Sequence, residues 1–377
     1  MQAHLLNIQA RHRQRIGYLA SLKDFTCRDA GCTDPRVIVD DPGASLYCFD
    51  DATRRAIFVQ LPPDVDLTRV PFVYQAQYER AEHLIAIPYE AFLELSGELP
   101  DPDNPIFIYI TGRSGSTLFH NIFNQSGVVA SFAEPDVATQ FVNLRRHAHP
   151  DREPELRWLA RATVCFLLRN HHVAGIAAHA IKFRSHGVRA MDLFQTIYPQ
   201  AKHVFLYRNA VGYANSFYRL FRMLDMPETI SLDTLYSWFD DILAADPTHL
   251  LPYLGEGRKS VTVVEQIALW WVSVMEWYLE QVNRGIPTAA LRFEDLTGTR
   301  LETLRRLFTY CDLPASAVQR GLSAYDRDSQ AGSQIAREDP DAAQAFALSE
   351  DQVREVTAVL GRHPVLTYPG YVAPGTL

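Results

Sequence analysis

The sequence predicts an α/β fold in which a central parallel sheet is flanked by helices in three layers, preceded by an N-terminal extension. Short apolar runs rich in β-branched and aromatic residues recur at residues 106–110, 177–183, 203–207 and 287–293. Helical stretches separate these runs, and strands that alternate with helices form parallel sheets with right-handed crossovers. The first run leads into a glycine- and serine-rich turn, at the end of a strand where such sheets bind their ligands.

Composition and charge limit the kinds of partner. The chain has 377 residues, of which 47% are hydrophobic and 21% charged, so it has enough apolar material for a large domain and an extension. Its formal net charge of −8 excludes a general attraction for nucleic acid, because binding to the phosphate backbone requires a basic surface. Any anion site must therefore be a local group of Arg, Lys and backbone N–H donors.

Cysteine usage and hydropathy predict a cytoplasmic protein. The five cysteines are scattered, and the close pair Cys27 and Cys32 lacks a second pair with which to hold a metal, so no metal is expected. The first 22 residues carry Arg and His among their apolar positions and do not form a secretory signal. No run of about 18 apolar residues is present, so no membrane partner is expected either.

The segment at residues 97–105 predicts a boundary, because its three prolines and several acids break both helix and strand. We therefore expect an extension at residues 1–100 and a main domain at residues 101–377. The opening of the extension predicts an amphipathic helix, and residues 36–40 and 56–60 predict short strands. Three roles stay open for the extension: capping the main domain, shaping an acceptor pocket, or mediating a homodimer.

The turn at residues 111–117 predicts a phosphate site. It follows the first predicted strand and leads into a helix predicted at residues 116–124. Gly112 and Gly115 permit backbone angles closed to other residues. The N–H groups at the start of the helix favour an anion, and Arg113 adds a cation with bidentate geometry.

The same turn differs from the loop of kinases and nucleoside triphosphatases. Ser116 stands where that loop has its lysine, and Ile110 stands where it has its first glycine. The turn is therefore not built for a magnesium-bound β,γ-phosphate. A P-loop-type kinase or other phosphotransferase is nevertheless the main alternative, and magnesium-dependent ATP binding would support it.

A second anion site is predicted where the strand at residues 203–207 ends. Arg208 follows that strand, and Ser216 lies eight positions later in a helix that Asn209 can cap. About two helical turns separate the two side chains, so both can close on one anion. On the residues alone, a surface ion pair for Arg208 and helix packing for Ser216 are equally open.

These motifs resemble those of the sulfotransferase superfamily. Its phosphosulfate loop is a basic residue followed by Ser-Gly-(Ser/Thr)-Thr, matched in order by Arg113, Ser114, Gly115, Ser116 and Thr117. Its 3'-phosphate motif, an Arg with a Ser eight residues later, is matched by Arg208 and Ser216, with Ala210 in place of the usual Pro. Residues 287–296 resemble its late strand, where we expect Glu294 and Asp295 to have a structural role.

The resemblance spans residues 105–335 and is closest in pattern to the bacterial and tyrosyl-protein-type branch. It implies a P-loop-type fold and an enzyme that uses 3'-phosphoadenosine 5'-phosphosulfate (PAPS) as its cofactor. The implied reaction is the in-line transfer of a sulfuryl group to a hydroxyl or amine of a small-molecule acceptor, with no metal. A non-catalytic nucleotide-binding relative is the second alternative.

Four catalytic residues follow from the resemblance. Arg113 and Lys182 would neutralise charge at the leaving oxygen, as in-line displacement requires. The acceptor must also lose a proton to a general base. Glu134, 21 residues after Arg113, lies where the tyrosyl-protein branch places its catalytic Glu. His186 resembles the His of the cytosolic branch but sits two positions late. We favour Glu134 and keep His186 open.

Two further segments complete the prediction. The small-residue loop at residues 328–333 is expected to close over the nucleotide through Ser329 and Ser333, although the Arg-Lys-Gly motif of the cytosolic branch is absent there. Residues 267–282, which include Trp270, Trp271 and Trp277, repeat at helical spacing and predict a core helix.

Overall fold

A computed structural model describes residues 2–13, 17–169, 174–326 and 346–377. Within these ranges the strands have the following bounds: β1 Ala3–Arg11, β2 Phe25–Thr33, β3 Ala44–Asp50, β4 Arg55–Gln60, β5 His83–Pro88, β6 Pro105–Ile110, β7 Val129–Ala133, β8 Ala178–Lys182, β9 Lys202–Tyr207, β10 Thr229–Ser231, β11 Ser260–Thr262 and β12 Thr288–Arg292.

The α-helices occupy the following bounds: α1 Val37–Asp40, α2 Val73–Arg80, α3 Tyr89–Ser96, α4 Ser116–Ser126, α5 Asp136–Thr139, α6 Phe141–His147, α7 Glu153–Leu168, α8 Met191–Ile197, α9 Ala210–Met223, α10 Leu232–Leu243, α11 Val263–Asn283, α12 Phe293–Gly298, α13 Arg300–Tyr310, α14 Val318–Leu322 and α15 Glu350–Gly361. Short 3₁₀ segments also occur, among them Ser185–Ala190.

The strands form an antiparallel sheet of order β2-β1-β5-β4-β3, a small ribbon of β10 and β11, and a five-stranded parallel sheet of order β12-β9-β6-β8-β7. The predicted α/β class with a central parallel sheet is thereby confirmed. Its predicted strands correspond to β6, β8, β9 and β12, and every residue of β6 is buried. The neighbouring strand β7 was not predicted.

The N-terminal prediction of a helix is wrong, because residues 3–11 form strand β1. From Leu6 to Arg11 the side chains of β1 alternate between partly buried and exposed, and the strand pairs with β2 on one side and β5 on the other. Leu6 and Ile8 pack against the buried core formed by this sheet. These long-range pairings decide the conformation, since a short polar–apolar mixture fits both a helix and a strand.

The predicted strand at residues 36–40 is also wrong, whereas that at residues 56–60 is confirmed as β4. Residues 37–40 form the short helix α1. The Asp34 side chain accepts a hydrogen bond from the Arg36 N–H at 2.9 Å, and this turn starts the helix despite the β-branched run that follows.

By contact, the chain divides into two compact units. Unit 1 comprises Met1–Phe107 and Phe123–Lys202, and unit 2 comprises Ile108–Ile122 and His203–Leu377. The separation of residues 1–100 from residues 101–377 as domains stays a prediction. Of the helices within the described ranges, none combines the length and the apolar character needed to cross a membrane.

In unit 1 the antiparallel sheet shares its core with α3 and α7. The Phe166 ring centroid lies 5.2 Å from that of Phe58 on β4 and 5.0 Å from that of Phe92 on α3. In unit 2, helix α11 is buried along most of its length, and Phe205 of β9 stacks on its Tyr278 at 4.0 Å. The predicted core role of Trp270 and Trp271 is confirmed, since both are buried, whereas Trp277 is only partly buried.

Candidate functional site

The predicted phosphate turn in unit 2 adopts a backbone conformation that depends on its glycines. Gly112 and Gly115 have φ values of 84° and 78°, and Arg113 between them has φ 51°. A Cβ atom at Gly115 would lie 2.7 Å from Cδ2 of Phe293, so a larger residue would displace that ring. Helix α4 begins at Ser116, directly after the turn. The turn therefore leads into the helix N-terminus, whose N–H groups favour an anion.

Hydroxyl groups in this turn are buried. Ser114 is fully buried, and its Oγ has no hydrogen-bond partner. Ser116 and Thr117 are buried as well. A buried polar group without a partner costs about 1–3 kcal/mol, so its retention indicates a function such as ligand binding.

The structure brings the two predicted anion motifs together within unit 2. Nε of Arg113 donates a hydrogen bond to Oγ of Ser216 at 2.9 Å. Ser216 lies on α9, whose N-cap is Asn209, and the Asn209 side chain accepts a hydrogen bond from the Gly212 N–H at 2.7 Å. The predicted capping role of Asn209 is confirmed. One hydrogen bond thus joins motifs that lie about a hundred positions apart in the sequence.

Arg208 lies directly after β9, and one nitrogen of its guanidinium lacks a hydrogen-bond partner. Its Cζ lies 4.4 Å from the ring centroid of Phe293, and its Nε is buried with no hydrogen-bond partner. Within the part of the chain that the structure describes, Arg208 forms no ion pair, although the Glu294 carboxylate is near enough to oppose the lowering of the Arg208 pKa by burial. A guanidinium in this state fits an anion that accepts charge-assisted hydrogen bonds.

Neighbouring elements hold the backbone around Arg208. Nε1 of Trp271 donates to the Arg208 carbonyl at 2.8 Å. The Asn209 N–H donates to Oε1 of Glu294 at 3.3 Å, so the structural role expected for Glu294 is confirmed. The contact of Phe293 with Arg208 was not predicted. An aromatic residue at the end of a strand gives no sign in the sequence of the cation it will meet.

The second cluster lies in unit 1, where β7 and β8 run parallel. Ala133 pairs with Lys182 at the strand ends, and the Glu134 N–H donates to the Lys182 carbonyl at 2.8 Å. Nζ of Lys182 lies 3.0 Å from Oε1 of Glu134. The lysine side chain is fully buried, and that of Glu134 is 13% exposed. Lys182 is therefore a buried, paired cation and not the solvated charge that a lysine at a strand end usually is.

Glu134 has an unusual backbone conformation. Its φ is 55°, in the left-handed region that costs a residue with a side chain about 1–2 kcal/mol. Strain of this kind is found most often at functional positions, where the surrounding structure imposes it.

His186, the other candidate base, lies in the 3₁₀ segment Ser185–Ala190 and is 2% exposed. Burial, together with the charges of Arg184 and Arg189, lowers the pKa of His186 to about 3. Its Nε2 has no hydrogen-bond partner. Because an effective general base has a pKa near the working pH, this environment disfavours His186 as the base.

The remaining predicted residues, Ser329 and Ser333, lie outside the described residues. The described ranges contain no group of three or more His, Cys, Asp and Glu side chains suited to a metal ion. The catalytic and binding roles of the individual residues stay predictions.

The two predicted anion motifs follow β6 and β9, which are neighbouring strands of the parallel sheet. The family model of the sulfotransferase domain matches residues 103–330, more than half of the chain. The chain belongs to this family, and the family implies a transferase enzyme.

Solved structures of three bacterial or biosynthetic proteins are similar at low identity. A sulfotransferase from Alicyclobacillus acidocaldarius is 12% identical, with a TM-score of 0.38, and the match covers 70% of this chain and 94% of that one. A sulfotransferase from Mycobacterium avium is 11% identical, with a TM-score of 0.38 and coverage of 72% and 79%. The sulfotransferase domain from the curacin biosynthetic pathway is 15% identical, with a TM-score of 0.36 and coverage of 71% and 98%.

At these TM-scores the structural similarities add nothing to the family assignment, which depends on the match over residues 103–330. A search of the curated proteins finds no significant match.

Proposed function

We propose that the protein transfers a sulfuryl group from PAPS to a hydroxyl or amine of a small-molecule acceptor. The hydrogen bond between Arg113 and Ser216 supports this proposal most directly, because it joins the two anion motifs that a nucleotide with both 5' and 3' phosphates needs. The unsatisfied Nε of Arg208 and Oγ of Ser114 are further donors in the same unit.

The residues of these motifs fit such a nucleotide in their chemistry. All of them can donate hydrogen bonds through a side chain or a backbone N–H, and none is a carboxylate that would repel a phosphate. By the family resemblance, residues 113–117 would hold the 5'-phosphosulfate, and Arg208 and Ser216 would hold the 3'-phosphate. When bound, PAPS supplies the sulfuryl group and leaves as adenosine 3',5'-bisphosphate.

Glu134 would take the proton of the acceptor hydroxyl or amine as the acceptor atom forms its bond to sulfur and the bond from sulfur to the phosphate oxygen breaks. Lys182, its ion-pair partner at 3.0 Å, would neutralise negative charge that develops during transfer. Preorganised charges of this kind act without reorganising at the moment of reaction.

For location and partners, we propose a cytoplasmic enzyme that acts on a small molecule and not on nucleic acid. All five cysteines are free, and three of them are buried. Free thiols fit a reducing compartment.

Isothermal titration calorimetry with adenosine 3',5'-bisphosphate, ADP and ATP tests the proposal. We expect the bisphosphate to bind more tightly than ADP. Arg208→Lys should weaken the bisphosphate about 10- to 100-fold, because lysine loses the planar fork that suits a phosphate. Binding of ADP, which has no 3'-phosphate, should change little.

Arg305→Lys, an exposed substitution on α13, is the matched control and should leave all three affinities unchanged. If ATP with magnesium binds more tightly than the bisphosphate, or if Arg208→Lys weakens both nucleotides equally, the proposal is wrong and a phosphotransferase gains support.

A further inference from the structure

Two ion pairs connect the chain at the end of β7 with the chain at the end of β8. The first joins Glu134 to Lys182. Two residues further along each chain segment, Asp136 is joined to Arg184 by two hydrogen bonds, of 2.6 Å from Nε to Oδ1 and 2.9 Å from Nη2 to Oδ2. The Asp136 side chain is fully buried, and that of Arg184 is 10% exposed. The second pair is therefore a buried bidentate clamp beside the first.

The N-terminal region adds a third charged residue to this clamp. Nη2 of Arg13 donates to Oδ2 of Asp136 at 2.8 Å, and the Ala20 N–H donates to the same oxygen at 2.7 Å. The guanidinium carbons of Arg184 and Arg13 lie 4.1 Å and 4.6 Å from the ring centroid of Tyr74. Asp136 thus accepts hydrogen bonds from both of the chain segments that make up unit 1.

The same region reaches the first ion pair through an aromatic ring. The ring centroid of Phe72 lies 5.4 Å from Nζ of Lys182. The Phe72 ring also stacks on the Tyr74 ring, with 5.5 Å between their centroids. Arg13, Phe72 and Tyr74 all precede residue 103, where the family match begins. The family pattern therefore accounts for neither the cation nor the two rings that surround these pairs.

The strained backbone conformation of Glu134 depends on this arrangement. Glu134 stands between Ala133, which is paired in the sheet, and the segment fixed by Asp136. Its left-handed φ of 55° persists only if both flanks are held, because an unconstrained non-glycine residue would relax to a more favourable conformation. Loosening Asp136 would release the strain and move the carboxylate away from Lys182.

We propose that Asp136, Arg184 and Arg13 are positioning residues that fix the Glu134–Lys182 pair for catalysis. The N-terminal region then contributes to catalysis through Arg13. This inference rests on the proposed function of the pair. Arg13 acts through Asp136 and touches no reacting atom.

The test compares Arg13→Met and Arg13→Lys with the control Arg11→Met. Arg11 lies two residues earlier, and its side chain donates to the backbone carbonyls of Tyr78 and Ala81. We expect Arg13→Met to lower kcat about 10- to 100-fold, a loss typical of a misplaced catalytic group. The KM for PAPS and the calorimetric affinity for adenosine 3',5'-bisphosphate should stay within about twofold, because the predicted nucleotide-binding groups lie in unit 2.

Arg13→Lys keeps the charge and should recover part of kcat, whereas Arg11→Met should keep all of it. A purely structural role for Arg13 would lower the melting temperature of Arg13→Met and leave kcat unchanged for the molecules that bind nucleotide. That result would overturn the inference. If Arg13→Met does not fold, Arg13→Lys carries the test, and an unchanged kcat there rejects positioning. Absence of sulfuryl transfer in the parent protein would instead refute the proposed function.

Discussion

The two clusters of predicted site residues differ in how their charges are satisfied. In unit 2, Nε of Arg208 and Oγ of Ser114 are buried without partners, and among the residues described Arg208 forms no ion pair. In unit 1, Lys182 and Arg184 are each paired with a carboxylate of the same unit. The comparison supports the proposal that an external anion completes the first cluster, whereas both cations of the second cluster already have carboxylate partners within unit 1.

This difference predicts opposite responses to substitution: loss of ligand affinity in unit 2, and loss of both turnover and folding stability in unit 1. The largest effect is expected from Glu134→Gln. Turnover should fall about 10²–10⁴-fold, the usual contribution of a general base. Because the substitution leaves the Lys182 ammonium buried and without its carboxylate, the free energy of unfolding should also fall by about 3 kcal/mol.

Single-turnover kinetics and urea unfolding measure the two effects of Glu134→Gln. Glu302→Gln, which removes a carboxylate from an exposed ion pair with Arg306, is the control and should change neither quantity by much. A Glu134→Gln protein that keeps its turnover would remove Glu134 from the chemistry and bring His186 back as the base.

A smaller effect, confined to binding, is expected from Ser216→Ala. The variant removes the oxygen that accepts the hydrogen bond from Arg113, so the affinity for adenosine 3',5'-bisphosphate should fall about tenfold, or about 1.4 kcal/mol. The urea midpoint should stay close to that of the parent. Ser273→Ala, which removes a buried serine hydroxyl from α11, is a matched control with no expected effect on the nucleotide. Equal affinity in the parent and the Ser216 variant would contradict the predicted 3'-phosphate site.

The smallest effect concerns His186 and appears only in acid. The pKa of His186 is lowered to about 3 in the folded protein, while an unfolded histidine has a pKa near 6.5. Between these values the unfolded chain binds one more proton than the folded one, so this residue makes stability fall as the pH falls from about 6.5 towards about 3.

His186→Gln removes this proton uptake. The unfolding free energy of the variant should therefore fall less steeply with decreasing pH than that of the parent, and the two slopes should differ by up to about 1.4 kcal/mol per pH unit. Urea unfolding at a series of pH values checks the slope, and turnover at neutral pH should stay within about twofold. Identical slopes would show that His186 does not resist protonation in the folded state.

The parts that could be predicted from sequence share one physical property: their signal is local. Strands β6, β8, β9 and β12 are buried on both faces, so each reads as a continuous apolar run whatever its neighbours are. The phosphate turn and the Arg208–Ser216 spacing are likewise contained in a few adjacent residues. The N-cap at Asn209 follows from the residue type alone.

The parts that could not be predicted depend on distant residues. The conformation of β1 is decided by its pairing with β2 and β5. The bond from Arg13 to Asp136 spans 123 positions, and neither residue belongs to a recognisable motif. The contact of Phe293 with Arg208 also arises only when β9 and β12 lie side by side.

Arg113, like Glu134, has a backbone that glycine would adopt more easily. An Arg113→Gly change would relieve about 1–2 kcal/mol of backbone conformational energy and would remove the guanidinium. A substitution that relaxes the backbone at this position thus removes a group that the proposed function needs. Any engineering of this protein for stability therefore has to measure turnover from the first round.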